Sequence, residues 1–430
     1  MAIAGTALAA ACSSGAGEAT SASTSTTKAS GPVNLTFWTW APNMDKVVAL
    51  WNADHPEIKV TVNKQDGGDP AVTKLLTAMK AGRGAPDIMQ AEYQKLPTLV
   101  SADALADVSK QVDPGLKDKF SPATWNAVTL GSDAVYGVPQ DSGPMFFFYR
   151  GDVFDKLKLK VPTTWDEYAA AARKVHASDP KRYLGTFSSS DPGWFAGLSQ
   201  QAGASWWGVQ GDKWSVAVDD AATQKVASYW GGLVQEGVID NKPMYTPEWN
   251  SALNKGDQVG WLSAIWAPGV LEGNAASTAG KWKMAPMPQW DATAASGAWG
   301  GSATSVTTQS KHPQEAARFI SWLNSDPTAV SALVKQSNLY PAASAGQQAL
   351  TTPPAFFKNQ SDFYQVAAKV AGTVKPFTYG PNVNVTYNAY NDALGKAADG
   401  KSQSQFLQGL KTMQTTTVAD LQKSGFKVAG

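Results

Sequence analysis

The stretch VNLTFWTWAPNMDKVVALWNADHPEIKVTVNK, residues 33–64, carries two hydrophobic periods with the punctuation between them. Val33, Leu35 and Phe37 alternate with polar neighbours, the period of two that a strand requires. After the turn signal Ala41-Pro42, the residues Met44, Val47, Val48 and Trp51 recur at helical spacing, and His55-Pro56 ends that stripe. Ile58, Val60 and Val62 then return to alternation. A second helix follows, with Asp69 as N-cap, Pro70 at its first position, Val72, Leu75, Leu76 and Met79 on one face, and Gly82 at its end. Asp87-Ile88-Met89 begins a third strand. Strand, helix, strand, helix, strand predicts an α/β fold with a parallel sheet and right-handed crossovers.

Such sheets bind ligands just beyond the carboxyl ends of their strands. The rule selects Trp38 and Trp40 after the first strand, Gln65-Asp66-Gly67-Gly68 after the second, and Glu92-Tyr93 after the third. Asp87 precedes its strand, so it is assigned to the fold, and Asp69 is assigned to helix capping. Further along, Thr164 and Glu167 have the spacing of a capping box, opening a helix with Trp165, Tyr168, Ala169 and Ala172 on its buried face. Helices are also predicted from Pro313, with Phe319, Ile320 and Leu323 inward, and from Asp326-Pro327, with Val330, Leu333 and Val334 inward.

A chain of 430 residues exceeds what one core normally fills, so two lobes are expected. Its 36 basic and 35 acidic residues nearly cancel and no basic cluster is present, which argues against a nucleic-acid partner. The 17 tryptophans are an excess for a chain of otherwise ordinary composition, and flat ligand-facing rings compete with core packing as their explanation. The three histidines, His55, His176 and His312, lack ligand-like spacing, so neither a metal nor another cofactor is expected.

Ala2 to Ala11 is a short apolar run, too short to span a bilayer, and it ends at the only cysteine, Cys12. Leu8-Ala9-Ala10-Ala11-Cys12 resembles the cleavage box of a bacterial lipoprotein signal peptide, although the large apolar residue stands one place early and no positive charge precedes the run. That resemblance implies a leader over residues 1–12, truncated at its start, with Cys12 lipidated and anchoring the protein to the outer face of the cytoplasmic membrane. Residues 13–32, rich in Ser, Thr, Ala and Gly, read as a flexible linker spanning about 25 Å as a coil.

Several collinear stretches resemble the carbohydrate-binding, maltose-binding-protein-like group of extracellular solute-binding proteins that serve ABC importers. They are Phe37-Trp38-Thr39-Trp40, Gly84-Ala85-Pro86-Asp87-Ile88, Tyr136-Gly137-Val138-Pro139 with Gln140-Asp141-Ser142, and Phe146 to Arg150 followed by Asp152 and Phe154. Val161-Pro162-Thr163-Thr164-Trp165, Val259 to Trp266, and Trp299-Gly300-Gly301-Ser302 with Lys311-His312-Pro313 continue the series. The resemblance implies a two-lobed fold, each lobe a mainly parallel sheet flanked by helices, with a hinge crossed more than once. Lobe I would take residues 33–140 and 301–344, and lobe II residues 141–300 and 345–430. It further implies a monomer that captures a carbohydrate, an oligosaccharide in the first instance, in the interlobe cleft and delivers it to importer permease subunits.

A sugar presents apolar C–H faces and hydroxyl rims, so its site needs aromatic platforms and planar polar groups. Trp38, Trp40, Tyr93, Trp266 and Trp299 are the candidate platforms, with Trp194 and the Trp206-Trp207 pair behind them. Asp66, Glu92, Gln140 and Asp141 are the candidate hydroxyl partners, and Gly301 completes the expected site. An Asx turn is the competing role for Asp66. A secreted glycosidase would need two flanking carboxyl groups, and Glu92 with Asp141 leaves that reading open. No nucleophile elbow or phosphate-binding glycine loop is present, so no catalytic residue is assigned. A surface adhesion protein is a rival reading that an anchor and linker would serve equally well, and the same fold could instead carry a polyol or glycerol-phosphate.

Overall fold

The computed structural model describes residues 32–337 and 339–429. Cys12 and nearly all of the expected linker lie outside the described residues. Strands β1 (Val33–Thr39), β2 (Ile58–Lys64) and β3 (Ile88–Glu92) run parallel, with β1 in the middle. Alternation sorts their side chains to two faces. Leu35, Phe37 and Ile88 pack with Met44, Trp51, Phe319 and Leu333 on one side. Trp38, Met89 and Ala91 pack with Val72, Leu75, Leu96 and Leu99 on the other.

Local chemistry fixes the ends of these elements. Trp51 is fully buried and donates its indole N–H to the Ile58 carbonyl at 2.9 Å, tying the first helix to the start of β2. The His55 ring stacks on it with centroids 3.6 Å apart, just before Pro56 stops the helix. Asp87 accepts from the Thr36 backbone N–H and the Ser310 hydroxyl, a strand pin as its position predicts. Asp69, by contrast, is not the cap of its helix. That helix is Gly68–Lys80 with Gly67 at the N-cap, and the Asp69 carboxylate pairs with Lys95 instead.

Strand β4 (Val138–Arg150) is the spine of the molecule. The hairpin of β5 (Trp207–Gln210) and β6 (Lys213–Val216) forms a separate small sheet, and β7 (Gly260–Ala264), β8 (Trp282–Pro286) and β9 (Ala298–Val306) complete the main one. The first half of β4 pairs with β9, which pairs in turn with β3. Its second half passes between β7 and β8. Enclosed on both edges and both faces, Phe146, Phe147 and Phe148 are fully buried, which accounts for an apolar run without alternation.

The expectation of a mainly parallel sheet in each lobe holds for β1 to β3 and needs correction in lobe II. There β7 and β8 are both antiparallel to β4. They are parallel to one another, joined across β4 by the helix Ala267–Asn274, so the crossover expected between neighbours here skips a strand. The lobe II core is rich in tryptophan: Trp165, Trp206, Trp207, Trp230, Trp249, Trp261 and Trp282 are all buried in it. Core packing therefore explains most of the tryptophan excess. The Thr164–Glu167 capping box is present, with each side chain accepting from the other residue's backbone N–H.

Three chain segments run side by side here. Along β4 the register shifts between Pro139 and Asp141 and again between Ser142 and Pro144, where the strand changes partners. The start of β9 runs beside it, and the Ser142 and Ala342 amides donate to the Tyr340 and Gln140 carbonyls, joining β4 to the third segment.

Candidate ligand-binding cleft

The ends of β1 and β3, the first half of β4 and the first half of β9 meet at this junction, and a buried hydrogen-bond chain runs across them. The Thr39 hydroxyl donates to Gln90 Oε1 at 2.5 Å, and Gln90 Nε2 donates to Ser302 Oγ at 3.0 Å. Ser302 in turn donates to the carboxylate of Asp141. Tyr93 donates its hydroxyl to the Asp141 carbonyl at 2.8 Å. The carboxylate thus has a fixed direction, supported by four strands.

Burial pushes the Asp141 carboxyl up to about 6, with the nearby charge of Glu92 adding to the rise and the Ser302 hydrogen bond opposing it. Glu92 is raised as well, again mainly by burial, and Lys95 opposes that rise. The two acids are held near each other at the cleft base. From lobe II, Tyr379 and Tyr387 face Glu92. Burial raises both phenols, and the nearby Glu92 charge adds to the rise.

Aromatic rings form the opposing wall. Trp266 and Trp299 cross edge-to-face with centroids 4.8 Å apart, and the Trp266 indole N–H donates to the Trp299 carbonyl at 3.0 Å. Buried Trp261 backs Trp266 at 5.9 Å. Trp299 lies against Gly193, where a Cβ would come within 3.1 Å of its ring, and the Tyr387 hydroxyl is close by. Tyr245 lies 6.4 Å from Trp299 and 5.6 Å from Trp249. It is 40% exposed and has φ 67°, a left-handed conformation that a tyrosine adopts at a cost. Gly301, at φ 93°, is required twice over, because a Cβ there would also sit 2.7 Å from the Tyr93 ring.

Two hollows flank the junction, sharing Ser142. One, of about 590 Å³ with open solvent included, is lined by Tyr93, Gln200, Gly300, Phe377 and Tyr379. The other, of about 1080 Å³ on the same measure, is lined by Asp141, Trp266, Glu272, Tyr340 and Tyr364. In the second, Ser337 Oγ and the Tyr340 hydroxyl are buried with no hydrogen-bond partner among the described residues.

The structure therefore brings together Glu92, Tyr93, Asp141 and Gly301, with Trp266 and Trp299 as the facing pair. Trp40 is half-buried against the backbone of Gly67 at the edge of the same region, and Asp66 is exposed on the adjoining loop. Three of the expected contacts are core residues. Trp38 is 7% exposed in the lobe I interior beneath Lys74. Trp194 is 1% exposed and donates to the Leu262 carbonyl. Gln140 is 1% exposed and accepts from the Thr304 hydroxyl. The register shift between Pro139 and Asp141 leaves Gln140 as the extra, unpaired residue of a bulge, buried while Asp141 lines the cleft. Sequence reasoning missed Tyr245, Tyr340, Tyr379 and Tyr387, which lie in loops and on a helix outside the strand-end rule.

The model of the bacterial extracellular solute-binding protein family matches residues 38–330. The chain belongs to this family. This solute-binding protein is 25% identical to the arabinooligosaccharide-binding protein of Halalkalibacterium halodurans over 68% of its own length and 67% of that protein's. It is 28% identical to the lactose-binding protein of Rhizobium radiobacter, over 66% and 69% respectively. It is 31% identical to an uncharacterized lipoprotein of Streptomyces antibioticus over 36% of each chain. Among solved structures, it resembles the galacto-N-biose-/lacto-N-biose I-binding protein of the ABC transporter from Bifidobacterium longum, in complex with lacto-N-biose. The TM-score is 0.82 at 29% identity, covering 94% of this chain and 100% of that one. No helix among the described residues of this solute-binding protein is long and apolar enough to cross a membrane.

Proposed function

We propose that this solute-binding protein captures a neutral oligosaccharide between its lobes and delivers it, unaltered, to an ABC-type importer. The observation that carries the reading is the pairing of the Trp266–Trp299 corner with the fixed carboxylate of Asp141. Such a corner offers two ring faces to the C–H surface of a pyranose, while the carboxylate accepts from its hydroxyl rim. Tyr245, Tyr387 and Trp40 would extend the platform, and Glu92 and Tyr93 the polar rim. The relatives' cargoes, arabinooligosaccharide, lactose and lacto-N-biose, support a sugar of more than one unit.

The same reading places the protein outside the cell, tethered through lipidated Cys12. The lipoprotein relative supports that tether.

The deciding experiment is a thermal-shift screen of the soluble body against mono- and oligosaccharides, followed by chromatography of the recovered sugar. A ligand that binds only the folded state must raise its melting temperature. The expected result is a rise with one class of oligosaccharide, recovered intact. Cleavage of the sugar would assign the Glu92–Asp141 pair to hydrolysis, and silence across the panel would remove the sugar reading.

A further inference from the structure

The lobes meet a second time, away from the Trp266–Trp299 corner. Lys95 is only 6% exposed, and its ammonium lies 2.7 Å from Asp69 Oδ1 within lobe I. The same ammonium donates across the gap to Asn384 Oδ1 at 2.5 Å, and Asn384 Nδ2 donates back to Asp69 Oδ1 at 3.2 Å. Nearby, the Thr98 hydroxyl donates to the Pro381 carbonyl at 2.8 Å. These contacts join residues about 300 positions apart in sequence and none involves the hinge segments.

Both sides of this junction are rigid. Lys95 and Thr98 flank Leu96 and belong to a turn and short helix whose Leu96 and Leu99 are fully buried. Opposite them, Gly380 is seated on Trp207 so closely that a Cβ would fall 2.2 Å from the indole nitrogen. Asn382 donates to the Thr417 carbonyl at 2.9 Å and to the Asp420 carboxylate at 3.0 Å. Lobe II therefore presents Pro381 and Asn384 as a fixed edge. When the lobes separate, Lys95 keeps Asp69, but the contacts to Asn384 and Pro381 exist only while the lobes touch.

We propose that Lys95, Asp69 and Thr98 of lobe I, with Pro381 and Asn384 of lobe II, form a clasp that favours the closed arrangement before any ligand arrives. This rests on the reading that the cleft closes around its cargo, but on no particular cargo. Hydrogen bonds made only in one of two states shift the balance toward it. The closed fraction then scales the apparent affinity for any ligand that binds the closed form. The clasp residues act on affinity through lobe position.

The test uses the full chain carrying Cys12→Ser, with nitroxide labels at Lys80→Cys and Lys213→Cys, both exposed sites on different lobes. Interlobe distances are measured by pulsed electron spin resonance without ligand, in the parent and in Asn384→Ala, Thr98→Val and the double variant. The expected result is a shift toward longer separations, largest in the double variant, with affinity for the best saccharide falling by about tenfold, as one or two net hydrogen bonds allow. An unchanged distance distribution in the double variant overturns the clasp. Thr98→Val removes one hydroxyl from a short helix and keeps the test valid if Asn384→Ala fails to fold. Because the distances are read without ligand, the readings separate. A shift with no saccharide bound keeps the clasp and removes the sugar, and saccharide binding with unshifted distances does the reverse.

Discussion

The indole N–H of Trp266 is spent on the backbone carbonyl of Trp299, 3.0 Å away, which fixes the Trp266 ring against that strand. The ring of Trp266 is then free to serve as a stacking surface and has no spare donor. Replacing Trp266 with alanine is expected to weaken sugar binding by about 1–3 kcal/mol, the range for a stacked aromatic contact. Trp266→Phe should recover part of that loss. Isothermal titration calorimetry checks both, and an unchanged affinity in the alanine variant removes Trp266 from the site.

Asp141 should make stability depend on pH in a definite direction. Its folded pKa of about 6 lies above the ordinary value of 3.8, so the folded state holds the proton more tightly than the unfolded one. The contribution is favourable below about 4 and is lost as pH rises through 6. Asp141→Asn removes this dependence. The variant should gain on wild type between pH 4 and 6.5, by at most about 3 kcal/mol at neutral pH. Parallel denaturation curves for the two proteins at every pH would refute the assignment. If the ionised form accepts from sugar hydroxyls, affinity should also fall as pH drops below 6.

Ser302→Ala tests the hydrogen-bond chain behind that carboxylate. Loss of the hydroxyl removes a contact that holds the Asp141 pKa down, so the transition should move upward in pH. Titration of the Asp141 carboxyl by carbon-13 NMR in the two proteins measures it, and an unmoved transition would mean that Ser302 leaves the acid unaffected.

Gly301→Ala is expected to destabilise the protein by roughly 2–4 kcal/mol, combining a left-handed backbone with a methyl group pressed into Tyr93. Urea unfolding reports the loss. In the Tyr93→Ala background the steric part should disappear, leaving about 1 kcal/mol for the backbone.

Tyr245 presents the opposite balance. Asparagine tolerates its left-handed backbone better than tyrosine, so Tyr245→Asn should change stability by less than about 1 kcal/mol. Affinity should nevertheless fall several-fold, as a lost platform predicts. Equal affinity in the two proteins would confine Tyr245 to packing against Trp249.

The elements of residues 33–92 and the later capping box are readable because their signals are local. The strand and helix periods of residues 33–92, the pin at Asp87 and the box at Thr164 and Glu167 depend on neighbours within a few positions or on simple alternation. The strand-end rule places Glu92 and Tyr93 at the cleft for the same reason. The resemblance, not periodicity, supplies Asp141, Trp266, Trp299 and Gly301. Asp69 misleads because a capping residue and an ion-pair partner look alike in sequence, and its partner Lys95 lies 26 positions on.

The α/β class, the likeness to solute-binding proteins and the acids and glycines where strands end are all legible in the chain alone, since they follow from short-range pattern. Which tryptophans face the cleft and which fill the core is settled by long-range packing. A Trp38 or Trp194 side chain has the same local surroundings in either role, and its burial depends on helices that arrive from elsewhere in the chain. Folding in three dimensions is also what brings Tyr379, Tyr387 and Asn384 opposite Glu92 and Lys95. That meeting joins segments nearly 300 residues apart, and no local rule of spacing can express it.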